Sequence, residues 1–204
     1  PDTGRVTFSV THFSQFAVAY IHRTFEDIDR VEWARKPIEV LASKGIVRGT
    51  SAATFAPDAA ITRAEFLQLL ARSLNLSGTF ADNFADVGAS DYYYEAAGVA
   101  RKLGLAHGTG QDRLEPNRPI ARQDMMVMAA RALRLVGLLD AESTSDVPAG
   151  YRDRSEVAGY AVRDVADLIR AGFIRGDFDM RIKPVDLTTR AEAAVFLHSL
   201  YAAL

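Results

Sequence analysis

The chain has 204 residues, 49% of them hydrophobic, and a formal net charge of −2. That leaves room for one large or two small domains with a real core, and it argues against a nucleic-acid binder or a membrane-surface binder driven by bulk charge. No cysteine is present, which excludes disulfides and thiolate metal sites and fits an exported protein, and no apolar stretch is long enough to span a bilayer.

The chain opens at Pro1 in mid-pattern, without an initiator Met, so it reads as a fragment whose upstream domains lie in the same polypeptide. Val6, Phe8 and Val10 alternate with polar residues, which is strand periodicity. Residues 1–24 are therefore expected to be the tail of an upstream β-domain, or a linker strand packed against the rest of the chain.

The first unit, 25–81, begins at Phe25-Glu26-Asp27-Ile28. A helix carrying Ile38, Leu41 and Ala42 is predicted, with Pro37 in its first turn and Trp33 at or just before its start. Gly45 after Lys44 is a helix stop. Ile46-Val47-Arg48-Gly49-Thr50 is a short apolar pair and a tight turn, and a loop through Phe55-Ala56-Pro57-Asp58 leads to Ile61-Thr62-Arg63-Ala64-Glu65-Phe66. Thr62 and Glu65 form a capping box, with Phe66, Leu69, Leu70 and Leu74 following at helical spacing, so a second helix runs from about Arg63 to Leu74. The arginine at the first helical position lies close to free backbone N–H groups and the positive end of the helix dipole, a place suited to an anion.

The same pattern recurs twice. A shift of 59 residues places Asp27 on Asp86, Trp33 on Tyr92, Gly45 on Gly104, Gly49 on Gly108, Pro57 on Pro116 and Arg63 on Arg122. A further shift of 68 places Tyr92 on Tyr160, Gly104 on Gly172, Gly108 on Gly176, Pro116 on Pro184 and Arg122 on Arg190. The second unit, 82–143, is predicted to hold helices from about Tyr94 to Leu103 and one burying Met125, Met128, Ala129, Ala132 and Leu133. The third, 144–204, is predicted to hold a helix from about Tyr160 to Ala171 and one burying Phe196, Leu197, Leu200 and Tyr201. Two helices and a loop cannot bury both apolar faces alone, so each unit needs a neighbour, and three can close on one another. The fold class expected is mainly α, three tandem helix-loop-helix repeats with pseudo-threefold symmetry.

The units differ at the helix start. Ala121 replaces the capping threonine in unit two and Gln123-Asp124 replaces Ala-Glu, whereas unit three keeps Thr189-Arg190-Ala191-Glu192. Unit three places Asp177 and Asp179 just after Gly176.

Phe25-x-Asp27-Ile28, Trp33-Ala34, Gly45-Ile46-Val47-x-Gly49, Phe55-x-Pro57 and Ile61-Thr62-Arg63-Ala64-Glu65-Phe66, present in three copies over residues 25–204, resemble the S-layer homology modules of bacterial cell-surface proteins. The resemblance implies a trefoil-like prism of three modules at the cell wall, S-layer associated. It implies non-covalent anchoring through a secondary cell wall polysaccharide, often bearing a pyruvate ketal. The binding sites would lie in grooves between units and draw on the arginine of the Thr-Arg-Ala-Glu motif.

The residue types suit such a ligand. A carboxylate is matched by a guanidinium, and Arg63, Arg122 and Arg190 are candidates. A sugar ring is matched by an aromatic face, from Trp33, Tyr92 and Tyr160, and by a close N–H and hydroxyl at Gly49-Thr50 and Gly108-Thr109. Plainer readings stand beside these. Arg63 can pair with Asp27 or Glu65 and fasten its own unit, the usual burial of aromatics favours a core position for Trp33, Asp27 and Asp86 read as turn residues, and the glycines are turns first. The groove that relies on Asp177 is expected to bind an acidic sugar poorly, and Arg63 to contribute most. The four histidines show no metal-ligand spacing, and no catalytic set or cofactor motif is evident. The alternative function is a protein–protein interaction module for surface-layer assembly.

Overall fold

The computed structural model describes residues 21–140 and 146–204; the strand expected at Val6, Phe8 and Val10 lies outside them. Regular structure among the described residues consists of α1 (Glu32–Ser43), α2 (Arg63–Ser73), α3 (Tyr94–Lys102), α4 (Arg122–Leu135), α5 (Val162–Arg170) and α6 (Arg190–Tyr201), with short 3-10 turns at Glu26–Ile28 and Arg154–Glu156.

The helix boundaries follow the local chemistry. At the start of α2, Glu65 N–H donates to Thr62 Oγ1 at 3.2 Å and Thr62 N–H donates to Glu65 Oε2 at 2.9 Å. Thr189 and Glu192 repeat this at α6, whereas Ala121 gives α4 no side-chain cap. Gly45, Gly104 and Gly172 stop the first helix of each unit with φ of 73°, 69° and 79°. One boundary departs from expectation. Ala34 and Arg35 N–H both donate to Val31 O, so α1 starts before the position equivalent to Tyr94, Trp33 lies inside it and Pro37 falls in its second turn. Pro37 has no N–H to give the carbonyl four residues back. Burial of Ala34, Ile38, Leu41 and Ala42 in the core outweighs that loss.

The packing partners are not those of a simple helical hairpin. α2 packs on α3, α4 on α5, and α6 on α1. Each pair thus joins the second helix of one unit to the first helix of the next, and the last pair ties the end of the chain to its beginning. A single unit has no partner for either helix, which is the physical reason for three copies. α2 also meets α4 and α6, while α4 and α6 do not approach one another in the same way.

At the centre the three segments preceding α2, α4 and α6 exchange backbone hydrogen bonds in a closed ring. Ile61 N–H donates to Thr188 O at 2.9 Å, Thr188 N–H to Ile120 O at 3.0 Å, and Ile120 N–H to Ile61 O at 3.0 Å. All three side chains are fully buried. The loops feeding this ring are held by one aspartate each. Asp27 accepts from Phe55 and Ala56 N–H, Asp86 from Leu114 and Glu115, and Asp153 from Ile182 and Lys183, at 2.7–2.9 Å. Ala56, Glu115 and Lys183 have φ of 58°, 55° and 56°, and the carboxylate gripping two successive N–H groups offsets the cost of that conformation. Asp27 and Asp86 are thus turn residues, as the sequence indicates.

Candidate functional site

The arginine at the start of each second helix reaches away from its own unit. Arg63 Nε donates to Leu114 O at 2.9 Å and its Nη1 lies 3.2 Å from Asp124, both in unit two. Arg122 Nε donates to Ile182 O at 3.0 Å and Nη1 to Glu192 at 3.1 Å, in unit three. Arg190 returns to unit one, donating to Phe55 O at 2.9 Å, Arg48 O at 2.9 Å and Glu65 at 3.3 Å, with its guanidinium 4.8 Å from the Phe55 ring centre. The expected pairing of Arg63 with Asp27 or Glu65 inside its own unit is therefore corrected. Asp27 is committed to the loop N–H groups, and the second oxygen of Glu65, beyond its capping role, takes Arg190. Arg63 and Arg190 are only 5% and 9% exposed, so they are clasps between units that form the floor of a site more than its free donors.

A groove opens beside each clasp, and each draws on all three units. The first, about 460 Å³, combines Gly49 and Thr50 of unit one, Tyr92 of unit two and Arg190 of unit three. The second, about 430 Å³, combines Arg63 of unit one, Gly108 and Thr109 of unit two and Tyr160 of unit three. The third, about 600 Å³, combines Trp33 of unit one, Arg122 of unit two and Gly176 and Asp177 of unit three. The candidate residues named from the sequence thus fall into these three clusters.

Several details differ from expectation. Trp33 is 59% exposed, which overturns the core reading; the opposite face of α1 supplies the buried side chains. Tyr92 and Tyr160 are likewise 64% and 59% exposed. The backbone N–H groups of Thr50 and Thr109 are not free, because they donate at 2.8 Å to Thr54 O and Arg113 O. Gly49 is required by close approach, since a Cβ there would lie 2.4 Å from Ser51 O and 2.5 Å from the Phe25 ring. Asp177 shares its groove with Arg122, not with Arg190 of its own unit. It forms an ion pair with Lys183 at 3.0 Å, and this contact, together with the Arg181 N–H, holds it below the usual carboxylate range. The ranking of Arg63 above Arg190 loses its premise, because the acid compromises Arg122.

Charge separates the three grooves. The first gathers Arg48, Arg72 and Arg190 against Glu65 alone. The second gathers Arg63, Arg118 and Arg131 against Asp124. The third balances Arg122 and Arg175 against Asp177 and Glu192. Among the described residues the side chains of Arg48 and Arg72 have no carboxylate partner, and burial, then the proximity of Arg48, lowers the pKa of Arg72. Arg131 donates to Leu105 O and Arg118 pairs with Glu115. Two like charges left uncompensated beside an exposed tyrosine make a place for an anion. Sequence reasoning missed these flanking arginines. Arg72 and Arg131 stand at the same repeat position, so the 59-residue recurrence that picks out Arg63 could have found them.

Asp124, released from capping by the loss of the threonine at 121, accepts from the Tyr160 hydroxyl and from Arg63. Although the Tyr160 ring is more than half exposed, its hydroxyl end is desolvated against Asp124. Burial first, and the hydrogen bond to Asp124 second, push its pKa up to about 12.

Comparison with known proteins agrees with this architecture. The S-layer homology domain model matches residues 24–67, 83–126 and 150–194. The chain is similar to an amylopullulanase of Thermoanaerobacterium thermosulfurigenes, 34% identical over 97% of the chain and 10% of that protein. It is similar to the exoglucanase XynX of Acetivibrio thermocellus, 33% identical over 87% of the chain and 16% of that protein. It also resembles the S-layer protein sap of Bacillus anthracis, 29% identical over 88% of the chain and 21% of that protein. The chain thus spans between a tenth and about a fifth of the length of these relatives. Three repeats in register, closed by a cycle of arginine clasps and matched one by one to the family model, show that the chain belongs to the S-layer homology domain family, cell-surface anchoring modules of bacteria.

Proposed function

We propose that the module attaches its polypeptide to the cell wall by binding an acidic secondary cell wall polysaccharide, such as one carrying a pyruvylated amino-sugar, in the first and second grooves. The observation that carries this reading is the unpaired couple Arg48 and Arg72 beside exposed Tyr92, above the Arg190 clasp. A guanidinium offers paired N–H donors to a carboxylate, and the tyrosine offers a face to the sugar ring. Clasp residues hold the loop and helix that present these groups, so the site is pre-organised by the same contacts that close the fold. Two competent grooves on one module add avidity toward a repetitive polymer. The third groove, with its charges balanced, contributes little to acid binding.

The alternative, a protein-interaction module for surface-layer assembly, draws on the fully exposed Phe178 at the rim of the third groove. Isolated wall sacculi separate the two. Co-sedimentation that disappears once the secondary polymer is extracted supports polysaccharide anchoring. Retention on extracted sacculi, or binding only to the surface-layer protein, overturns it.

A further inference from the structure

The first groove does not end at Tyr92. A second cavity of about 410 Å³ lies between α2, α3 and the connector after α2, and Gln68, Arg72 and Tyr92 line both spaces. Its floor is apolar, from Ala71, Ala96 and Val99, while Asn75 and Ser77 bring an amide and a hydroxyl and Glu95 brings a negative charge. Asn75 is held at a φ of 50° at the end of α2, and Gln68 Nε2 donates to Tyr92 O at 3.0 Å, tying α2 to the segment just before α3 at the junction of the cavities.

The equivalent space between α4 and α5 is filled. The residue corresponding to Asn75 is Arg134, and those corresponding to Ala96 and Val99 are Asp164 and Asp167. Arg134 forms ion pairs with both aspartates, which are buried at 6% and 7% exposure. The same repeat position is therefore a closed ionic cluster at one junction and an open, small-residue cavity at the other.

Resting on the proposed function above, we infer that the first groove is one half of an extended site. It takes the acidic sugar at Arg48 and Arg72, above the Arg190 clasp, and the adjoining cavity takes the next, uncharged ring of the same chain. Glu95 disfavours a second acid there, and the mix of apolar floor with amide and hydroxyl suits a neutral sugar. Tyr92 and Arg72 stand where the glycosidic link crosses. The preferred ligand is thus at least a disaccharide, and the second groove, whose extension Arg134 blocks, gains nothing from the extra ring.

Calorimetry with the whole module tests this, using a pyruvylated amino-sugar as a monosaccharide and the same sugar linked to one neutral hexosamine. The disaccharide should bind the first groove at least tenfold more tightly, giving two classes of site. Ala96→Phe, which fills the cavity, should remove that gain and leave monosaccharide affinity unchanged. Asn75→Gly, which keeps the backbone conformation while deleting the amide, should reduce the gain severalfold. Thermal melting of both variants checks that they fold. Equal affinity for the two sugars, or a disaccharide advantage that survives in both folded variants, overturns the extension while leaving acid binding in the groove intact. Failure of the parent to bind either sugar overturns the groove reading itself and the extension with it.

Discussion

Thr188 offers a test of the central ring. It is the third-unit counterpart of Ile61 and Ile120, and its side chain is fully buried. Its hydroxyl is the buried side-chain oxygen without a hydrogen-bond partner among the described residues. Its backbone N–H and C=O are already used in the ring with Ile120 and Ile61. Replacing it by valine keeps the shape and the β-branch while removing an unsatisfied polar group, whose burial costs about 1–3 kcal/mol. Thr188→Val is therefore expected to stabilise the module by about 1–2 kcal/mol, the lower part of that range, because the surrounding wall relaxes only partly. For a chain of this size, that raises the melting temperature by roughly 2–8 °C at about 2–4 °C per kcal/mol. Urea unfolding followed by circular dichroism should show a higher midpoint with an unchanged slope. A neutral or destabilised Thr188→Val would mean that the hydroxyl has a partner in solution, and the reading of Thr188 as an unsatisfied polar group at the centre of the ring would be wrong.

Arg190→Ala strips the donors from Phe55 O and Arg48 O and leaves the half-buried Glu65 without its inter-unit partner; leaving those buried acceptors unsatisfied costs about 2–4 kcal/mol, measurable by urea unfolding, and a loss below about 1 kcal/mol would refute the clasp. Ala121→Thr supplies the missing cap on α4 and should add about 0.5–1 kcal/mol in the same assay. Tyr160 has a folded-state pKa raised to about 12 against an ordinary value near 10, so its contribution to stability is fully present below pH ~10 and lost as the pH rises toward 12; Tyr92 and Tyr93 are also raised, so the test is the difference in ultraviolet phenolate titration between the parent and Asp124→Ala, in which one tyrosine should move back toward the ordinary value.

Much of this fold is legible in the sequence because its information is local and repeated. Thr62 and Glu65 encode a helix start whatever surrounds them, and Gly45, Gly104 and Gly172 encode stops. The partner of each helix is not local. Nothing within unit one says that α1 lies on α6 or that Arg63 reaches Asp124, since both contacts span more than a unit of chain. Trp33 reads as core for the same reason and is not: aromatic character says how much area is available to bury, while the face of α1 that turns inward is set by its distant partner. Pro37 shows the reverse, a local rule overruled by packing. The grooves can be placed between units because the arginines recur, but their charge balance depends on Arg48, Arg72 and Arg131, which become informative only once the loops and helices converge.

The most direct measurement is calorimetric titration of the double variant Arg48→Ala/Arg72→Ala with a pyruvylated amino-sugar, alongside the parent. These two side chains have no ion-pair partner among the described residues, so their removal should leave the melting temperature within about a degree or two. It should also weaken the first groove by at least about a hundredfold and lessen the salt dependence of binding. Unchanged affinity in a normally folded double variant would contradict the claim that uncompensated guanidinium charge in an inter-unit groove captures an acidic wall glycan.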